Sequence, residues 1–197
     1  MTLTPGFWIT LRDALVMMII VSDNTCTGHV VDLVGLGNLQ SWCEGVGMTA
    51  TIHRFGLPPK LPADHTLEQV TSTTPNDQGL LLELILKGTT DPAVAARLGS
   101  TPELCRLGLD ILSWQRLKTR IPSQLPLGTR VAHKTGTGPR GYNDAGIVFK
   151  GDRALYILTA FTENVPAALA DGTPGFAAAY QLIGRMARMA WDELGGA

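Results

Sequence analysis

A chain of 197 residues with 45% hydrophobic and 17% charged side chains is long enough to close one hydrophobic core. Its net charge of −1 excludes the broad basic footprint of a nucleic-acid binder, and no apolar run approaches the ~20 residues that span a bilayer. Cys26, Cys43 and Cys105 are odd in number and widely spaced in apolar surroundings, which reads as buried free thiols and favours a reducing compartment.

Residues 1–9 show no periodicity. Thr10 with Asp13 three residues on makes a capping-box-like start, and Leu11, Ala14, Leu15, Met18 and Ile19 recur at helical spacing. Met17, Ile20 and Val21 widen that face until the helix is apolar nearly all round, which predicts a buried helix. Its apolar segment, Ala14 to Val21, is too short for a signal peptide and has no small-residue cleavage site. No leader is therefore expected and the compartment stays unknown: cytoplasmic as the chain is given.

Ser22-Asp23-Asn24 ends the helix with three residues that favour turns and caps. A second helix is expected over about Thr25–Val34, stopping at Gly35, and a short third near Leu39–Glu44. Met48 to Phe55 reads as partly extended. Gly56 to Thr74, with Pro58, Pro59 and Pro62, reads as a long surface loop. Thr74-Pro75 opens a helix with Leu80, Leu81, Leu84 and Ile85 as its core face and Gly88 as its end. Further helices are expected over about Asp91–Leu98 and from Thr101-Pro102, the latter striped by Leu104, Leu107, Ile111 and Leu112.

After Pro122 and Pro126 the period changes. Thr129–Thr137, Asp144–Phe149 and Ala154–Thr162 are rich in strand formers, and Lys150 to Arg153 reads as a hairpin turn. Thr173-Pro174 opens a closing helix to about Leu194, striped by Phe176, Tyr180, Ile183, Ala187 and Trp191. The order predicts an α+β fold in one domain, with a mostly helical lobe over about 10–121 and a small three-stranded antiparallel sheet backed by a helix over about 122–197.

Two clusters carry chemistry. Lys134-Thr135-Gly136-Thr137 ends a strand with a cation, hydroxyl donors and a glycine that admits a ligand to the backbone, a pattern suited to holding an anion. Ser22-Asp23-Asn24 lies more than a hundred residues upstream. His133 should point to the opposite strand face from Lys134 and serve structure. Arg140 reads as a solvated turn residue. His29, His53 and His65 have no ligand spacing with the cysteines, so no metal and no cofactor is expected.

The S-D-N and K-T-G pair, with its flanks Leu11–Asn24 and Val131–Gly138 and the helix start at Thr73-Thr74-Pro75, resembles the class A β-lactamase and penicillin-binding DD-peptidase superfamily. The resemblance covers nearly all of this chain but only the later two-thirds or so of a family domain. It implies that Ser22 relays a proton to a leaving nitrogen and that Lys134 lowers the cost of charge beside it. Asn24 would bind the substrate's side-chain amide, and Asp23 would hold the loop. Thr135, Gly136 and Thr137 would receive the carboxylate of a β-lactam or peptide-like substrate, with the Thr137 N–H as half of an oxyanion hole.

The family's third motif, S-x-x-K, is absent. The residues three before Lys60, Lys87, Lys118, Lys134 and Lys150 are Leu57, Leu84, Gln115, Val131 and Ile147. An unactivated serine is a poor nucleophile at neutral pH, so this chain alone is not expected to form an acyl-enzyme. The Ω-loop glutamate is missing too: counting back from Thr74-Pro75 puts its place near Pro58, and Arg54 to Thr66 contains none. The reading is a β-lactamase-like serine hydrolase lacking the N-terminal strands and the nucleophile helix. It is a truncated product, a pseudoenzyme or binding module for such carboxylates, or one half of an assembly. Its uncovered apolar faces predict a homo-oligomer or a partner chain.

Overall fold

The computed structural model describes residues 6, 8–56 and 64–195. The element order among them begins with α1 (Leu11–Ile20), α2 (Asn24–Val34) and α3 (Leu36–Val46). A 3₁₀ turn at Leu67–Gln69 precedes α4 (Pro75–Gly88), α5 (Pro92–Arg97) and α6 (Pro102–Ser113). A second 3₁₀ turn, Ile121–Gln124, leads to β1 (Val131–Thr137), β2 (Tyr142–Lys150), β3 (Arg153–Ala160) and α7 (Gly175–Leu194).

Helix starts follow from side-chain oxygens that satisfy first-turn amides. Thr10, Asp23, Thr74, Asp91 and Thr101 each accept a backbone N–H two or three residues on. Pro75, Pro92 and Pro102 occupy first-turn positions where a missing N–H costs nothing. Gly35, at φ 81°, both ends α2 and begins α3 without a side-chain cap. That makes α3 longer than the Leu39–Glu44 expected, because the glycine serves as a joint rather than a break.

The sheet is antiparallel in the order β1-β2-β3. Its two faces are covered differently. Ala132, Ala145, Ile147 and Phe149 pack with Leu82, Leu109 and Leu112 of α4 and α6. Val131, Val148 and Ala160 pack with Ile121 and with Ile183 and Ala187 of α7. The helical lobe has its own core, in which Cys43, Val46 and Met48 meet Leu84, Ala95, Leu98 and Cys105. Cys26, Cys43 and Cys105 are buried free thiols.

Two expectations need correction. Helix α1 is not buried: Ala14 is its one buried residue, and Leu11 stands 53% exposed. It packs on α2 and α6 and lends Ile19 to the sheet-side core, while Leu15 to Ile20 stay half-buried, so an all-round apolar composition does not become all-round cover. In α7, Phe176 lies outside the core and stacks edge-on against Tyr180, while Ala179 and Gly184 join Ile183 and Ala187 in the buried stripe. The segment Met48 to Phe55 is extended at one bridge, Ile52 to Ser72. Pro58, Pro59 and Pro62 lie outside the described residues. No described helix is long and apolar enough to cross a membrane.

Candidate active site

Strand β1 sorts its side chains by alternation. Ala132 and Lys134 face the helical lobe, and Val131 and His133 face α7. Lys134 therefore points toward the turn between α1 and α2. Its Nζ donates to Ser22 Oγ at 2.9 Å and to the Thr135 carbonyl at 2.6 Å. Burial pushes the Lys134 pKa from the ordinary 10.5 down to about 8; the Asp144 carboxylate opposes that shift and the Arg120 guanidinium adds to it.

Ser22 is exposed and sits at φ 56°, in the left-handed region that a non-glycine residue enters at a cost. The turn is held from both ends. On its far side, Asp23 is 7% exposed and its carboxylate accepts the Cys26 N–H at 2.8 Å. That hydrogen bond holds the Asp23 carboxyl below its usual range. On its near side, the last carbonyls of α1 need donors. Gln115, fully buried, donates its Nε2 to Ile19 O at 2.8 Å, and the Arg116 N–H donates to Ile20 O at 2.9 Å. The Gln115 Oε1 meanwhile accepts the Arg116 and Leu117 amides. The end of α6 thus fixes where α1 stops and where Ser22 begins.

Asn24 is the first residue of α2, exposed, with no side-chain hydrogen bond among the described residues. Thr135 is buried at 5% exposure, and its hydroxyl likewise has no described partner. Gly136 and Thr137 are exposed at the end of β1. The structure brings Ser22 and Lys134 into contact and places Asn24, Thr135, Gly136 and Thr137 along the same turn and strand end.

Sequence reasoning missed Arg120. This side chain is 2% exposed. Its Nη1 donates to Gly136 O at 2.9 Å and to Asn143 O at 2.5 Å. Its Nη2 reaches the Thr137 hydroxyl and donates to the Tyr180 hydroxyl at 3.2 Å, and its plane lies 4.6 Å from the Tyr180 ring centre. A buried guanidinium thus lies under the glycine end of β1. Asp144 was missed as well. It is fully buried, facing Thr135 in the strand register, and accepts the Ile121 N–H at 3.0 Å. His133, as expected, turns away from Lys134; its Nδ1 lies 2.9 Å from Asp144 Oδ1. Neither contact has a local sequence signature.

Arg140 is not a solvated turn residue. Its Nε donates to Val165 O at 3.1 Å and its Nη2 to Asn164 O at 2.8 Å, which ties the β1–β2 turn to the loop after β3. Beside that turn opens a cavity of about 770 Å³ whose walls include His53, Phe55, Thr71, Gly138 and Phe161. Ser22 and Lys134 do not line it. His53 lies there with its Nδ1 unpartnered, and burial pushes its pKa down. No cluster of His, Cys, Asp and Glu among the described residues could hold a metal ion.

The family described as "Beta-lactamase enzyme family" matches residues 1–194. No curated protein matches the chain. Among solved structures, a β-lactamase from Sphaerobacter thermophilus is 28% identical with a TM-score of 0.77, over 99% of this chain and 67% of its own. A PBP-A mutant, solved as an acyl-enzyme complex with penicillin G, is 22% identical with a TM-score of 0.78, over 99% and 65%. An ancestral class A β-lactamase of Gram-negative bacteria is 24% identical with a TM-score of 0.72, over 94% and 67%. The chain spans about two thirds of the length of the structures it matches.

Proposed function

Because this chain belongs to the beta-lactamase enzyme family, we propose that the α1–α2 turn and the glycine end of β1 form a groove that receives the carboxylate of a β-lactam or peptide-like substrate. The observation that carries the reading is the 2.9 Å contact of Lys134 Nζ with Ser22 Oγ, made across 112 positions of sequence. In this reading Lys134 and the buried Arg120 supply positive charge, and the Thr135 and Thr137 hydroxyls receive the carboxylate. Asn24 offers an uncommitted amide to the substrate's side chain. Asp23 keeps the turn in place, and Ser22 handles the proton of the leaving nitrogen.

The sequence holds no serine three residues before a lysine, so the family's acylating pair is not supplied by this chain. We read the groove as a binding site that does not turn over lactams by itself. Calorimetry with penicillin G and with its methyl ester tests the carboxylate claim. The acid is expected to bind and the ester to bind at least about tenfold more weakly, about 1.4 kcal/mol. Intact-mass measurement after penicillin exposure should show no added mass, and a chromogenic cephalosporin should not be consumed. Equal binding of acid and ester sinks the carboxylate site; a stable adduct sinks the non-covalent reading.

The half-exposed α1 and the edge strand β3 leave apolar surface and unpaired backbone groups at the margin of the fold. The reading therefore includes a second copy or a partner chain on those faces. Light scattering of a monodisperse monomer at micromolar concentration would overturn that part.

A further inference from the structure

No serine of this chain lies one helical turn before a lysine in sequence. The fold supplies a partner from far away. We propose that Ser22 and Lys134 form a serine–lysine dyad in which Ser22 is itself an acyl acceptor, giving the chain a slow esterase activity toward small uncharged esters with good leaving groups. The inference shares this pair with the carboxylate-binding reading but does not need the carboxylate subsite.

Three independent features of the geometry converge on Ser22. Its hydroxyl lies within hydrogen-bond reach of an amine at 2.9 Å, and that amine is pinned a second time by the Thr135 carbonyl at 2.6 Å. Ser22 is exposed, so an ester can approach it, and it occupies a strained left-handed turn directly before a helix. Asn24, at the first position of α2, carries an uncommitted side-chain amide, and the positive end of that helix faces the turn. A serine made reactive by an adjacent lysine is an established alternative to a serine–histidine pair.

The electrostatics agree with the geometry. Lys134 loses its proton near pH 8 because it is buried. The charged groups acting on it are the Asp144 carboxylate from β2 and the Arg120 guanidinium before β1. Asp23, next to Ser22, spends its carboxylate on the Cys26 N–H.

The reaction balances without a co-reactant other than water. Neutral Lys134 Nζ takes the Ser22 hydroxyl proton as Oγ bonds to the ester carbonyl carbon. The bond to the leaving oxygen breaks, and the leaving group departs with the electron pair as an aryl oxide. Lys134 releases its proton to solvent. Water then attacks the acyl carbon, giving a proton to Lys134, which returns it to Ser22 Oγ as the acid leaves. In the carboxylate-binding reading, a β-lactam held by its carboxylate turns its nitrogen to Ser22 rather than its carbonyl carbon. An ester without a carboxylate is not held in that orientation, which is why the substrate class is small and uncharged.

The test uses the full chain with a fluorophosphonate probe and with 4-nitrophenyl acetate between pH 6.5 and 9.5. Expected are one phosphonyl group, mapped to the Ser22 peptide, and a labelling rate that rises with pH through a midpoint near 8. Ser22→Ala should abolish the label. Lys134→Arg keeps the charge but cannot shed its proton, and should slow labelling at least a hundredfold and remove the midpoint. A label on another residue, a pH-independent rate, or equal labelling of Ser22 in Lys134→Arg overturns the dyad. The two readings fail separately. A native chain that binds penicillin G but takes no label sinks the dyad alone; one that takes the label but does not bind penicillin G sinks the carboxylate groove alone.

Discussion

His133 on β1 and Asp144 on β2 are diagonal neighbours on one face of the sheet, with Nδ1 2.9 Å from Oδ1, at 1% and 0% side-chain exposure. Asp144 also holds the Ile121 amide, so one carboxylate joins two strands and the 3₁₀ turn that follows Arg120. Asp144→Ala would leave a buried imidazole and a buried N–H without an acceptor. We expect a loss of about 3 kcal/mol in urea unfolding, and a smaller loss for Asp144→Asn, which keeps one acceptor oxygen.

Lys134 sets a pH dependence whose sign is fixed. Its folded pKa, about 8, lies below its unfolded value near 10.5. Below pH 8 both states hold the proton and the folded chain bears the full cost of burying the charge. Between pH 8 and 10.5 the unfolded state binds more protons, so stability rises with pH. Relative to Lys134→Met, the native chain should gain about 3 kcal/mol across that window in parallel urea titrations.

Asp23 behaves in the opposite sense. Its carboxyl is held below the usual carboxylate range by the Cys26 amide, so its contribution is present above about pH 4 and lost as pH falls through the folded value. Asp23→Ala removes the cap of α2 and should cost about 1–2 kcal/mol at pH 7. The difference between the two proteins should shrink toward pH 2.

Gly146 lies opposite His133 in the sheet register. A Cβ there would meet His133 Cβ at 2.5 Å and the Ala132 carbonyl at 3.0 Å. Gly146→Ala should therefore separate β1 from β2 and cost about 2 kcal/mol or more. Thermal melting and the hydrogen-exchange protection of the His133 and Lys134 amides would report it.

Gln115 positions the Ser22 turn without touching a ligand. Gln115→Leu would strip the Ile19 carbonyl of its donor and leave the Leu117 amide without its acceptor, while the Arg116 amide keeps Ile20 O. We expect about 2 kcal/mol of destabilisation in urea unfolding. Penicillin G binding should fall too, because the end of α1 no longer fixes Ser22; calorimetry reads this directly.

Much of the architecture was legible because its signals are local. Thr74-Pro75 and Thr101-Pro102 announce helix starts through a cap oxygen and a residue without an N–H. Ser22 and Lys134 were legible as two short clusters, and β1 alternation placed His133 on the other face. What escaped depends on register or on long-range contacts. Nothing near Arg120 in sequence says that it will reach Gly136, Asn143 and Tyr180. Gln115 meets Ile19 across 96 positions, and Asp144 meets His133 only because β2 pairs at that offset. The burial expected of α1 failed for a related reason: periodicity counts apolar faces, not the neighbours available to cover them. The expected Ω-loop position near Pro58 lies outside the described residues.

Neighbours of opposite fate sit side by side at His133 and Lys134: one imidazole sealed behind the sheet, one ammonium on the face that meets the α1–α2 turn. A slip of β1 by one residue against β2 would exchange them, driving a cation inward and leaving Ser22 opposite an imidazole. Length changes inside β1 itself can then be tolerated only two residues at a time, whereas the loop before it, across 126–130, is free to absorb one.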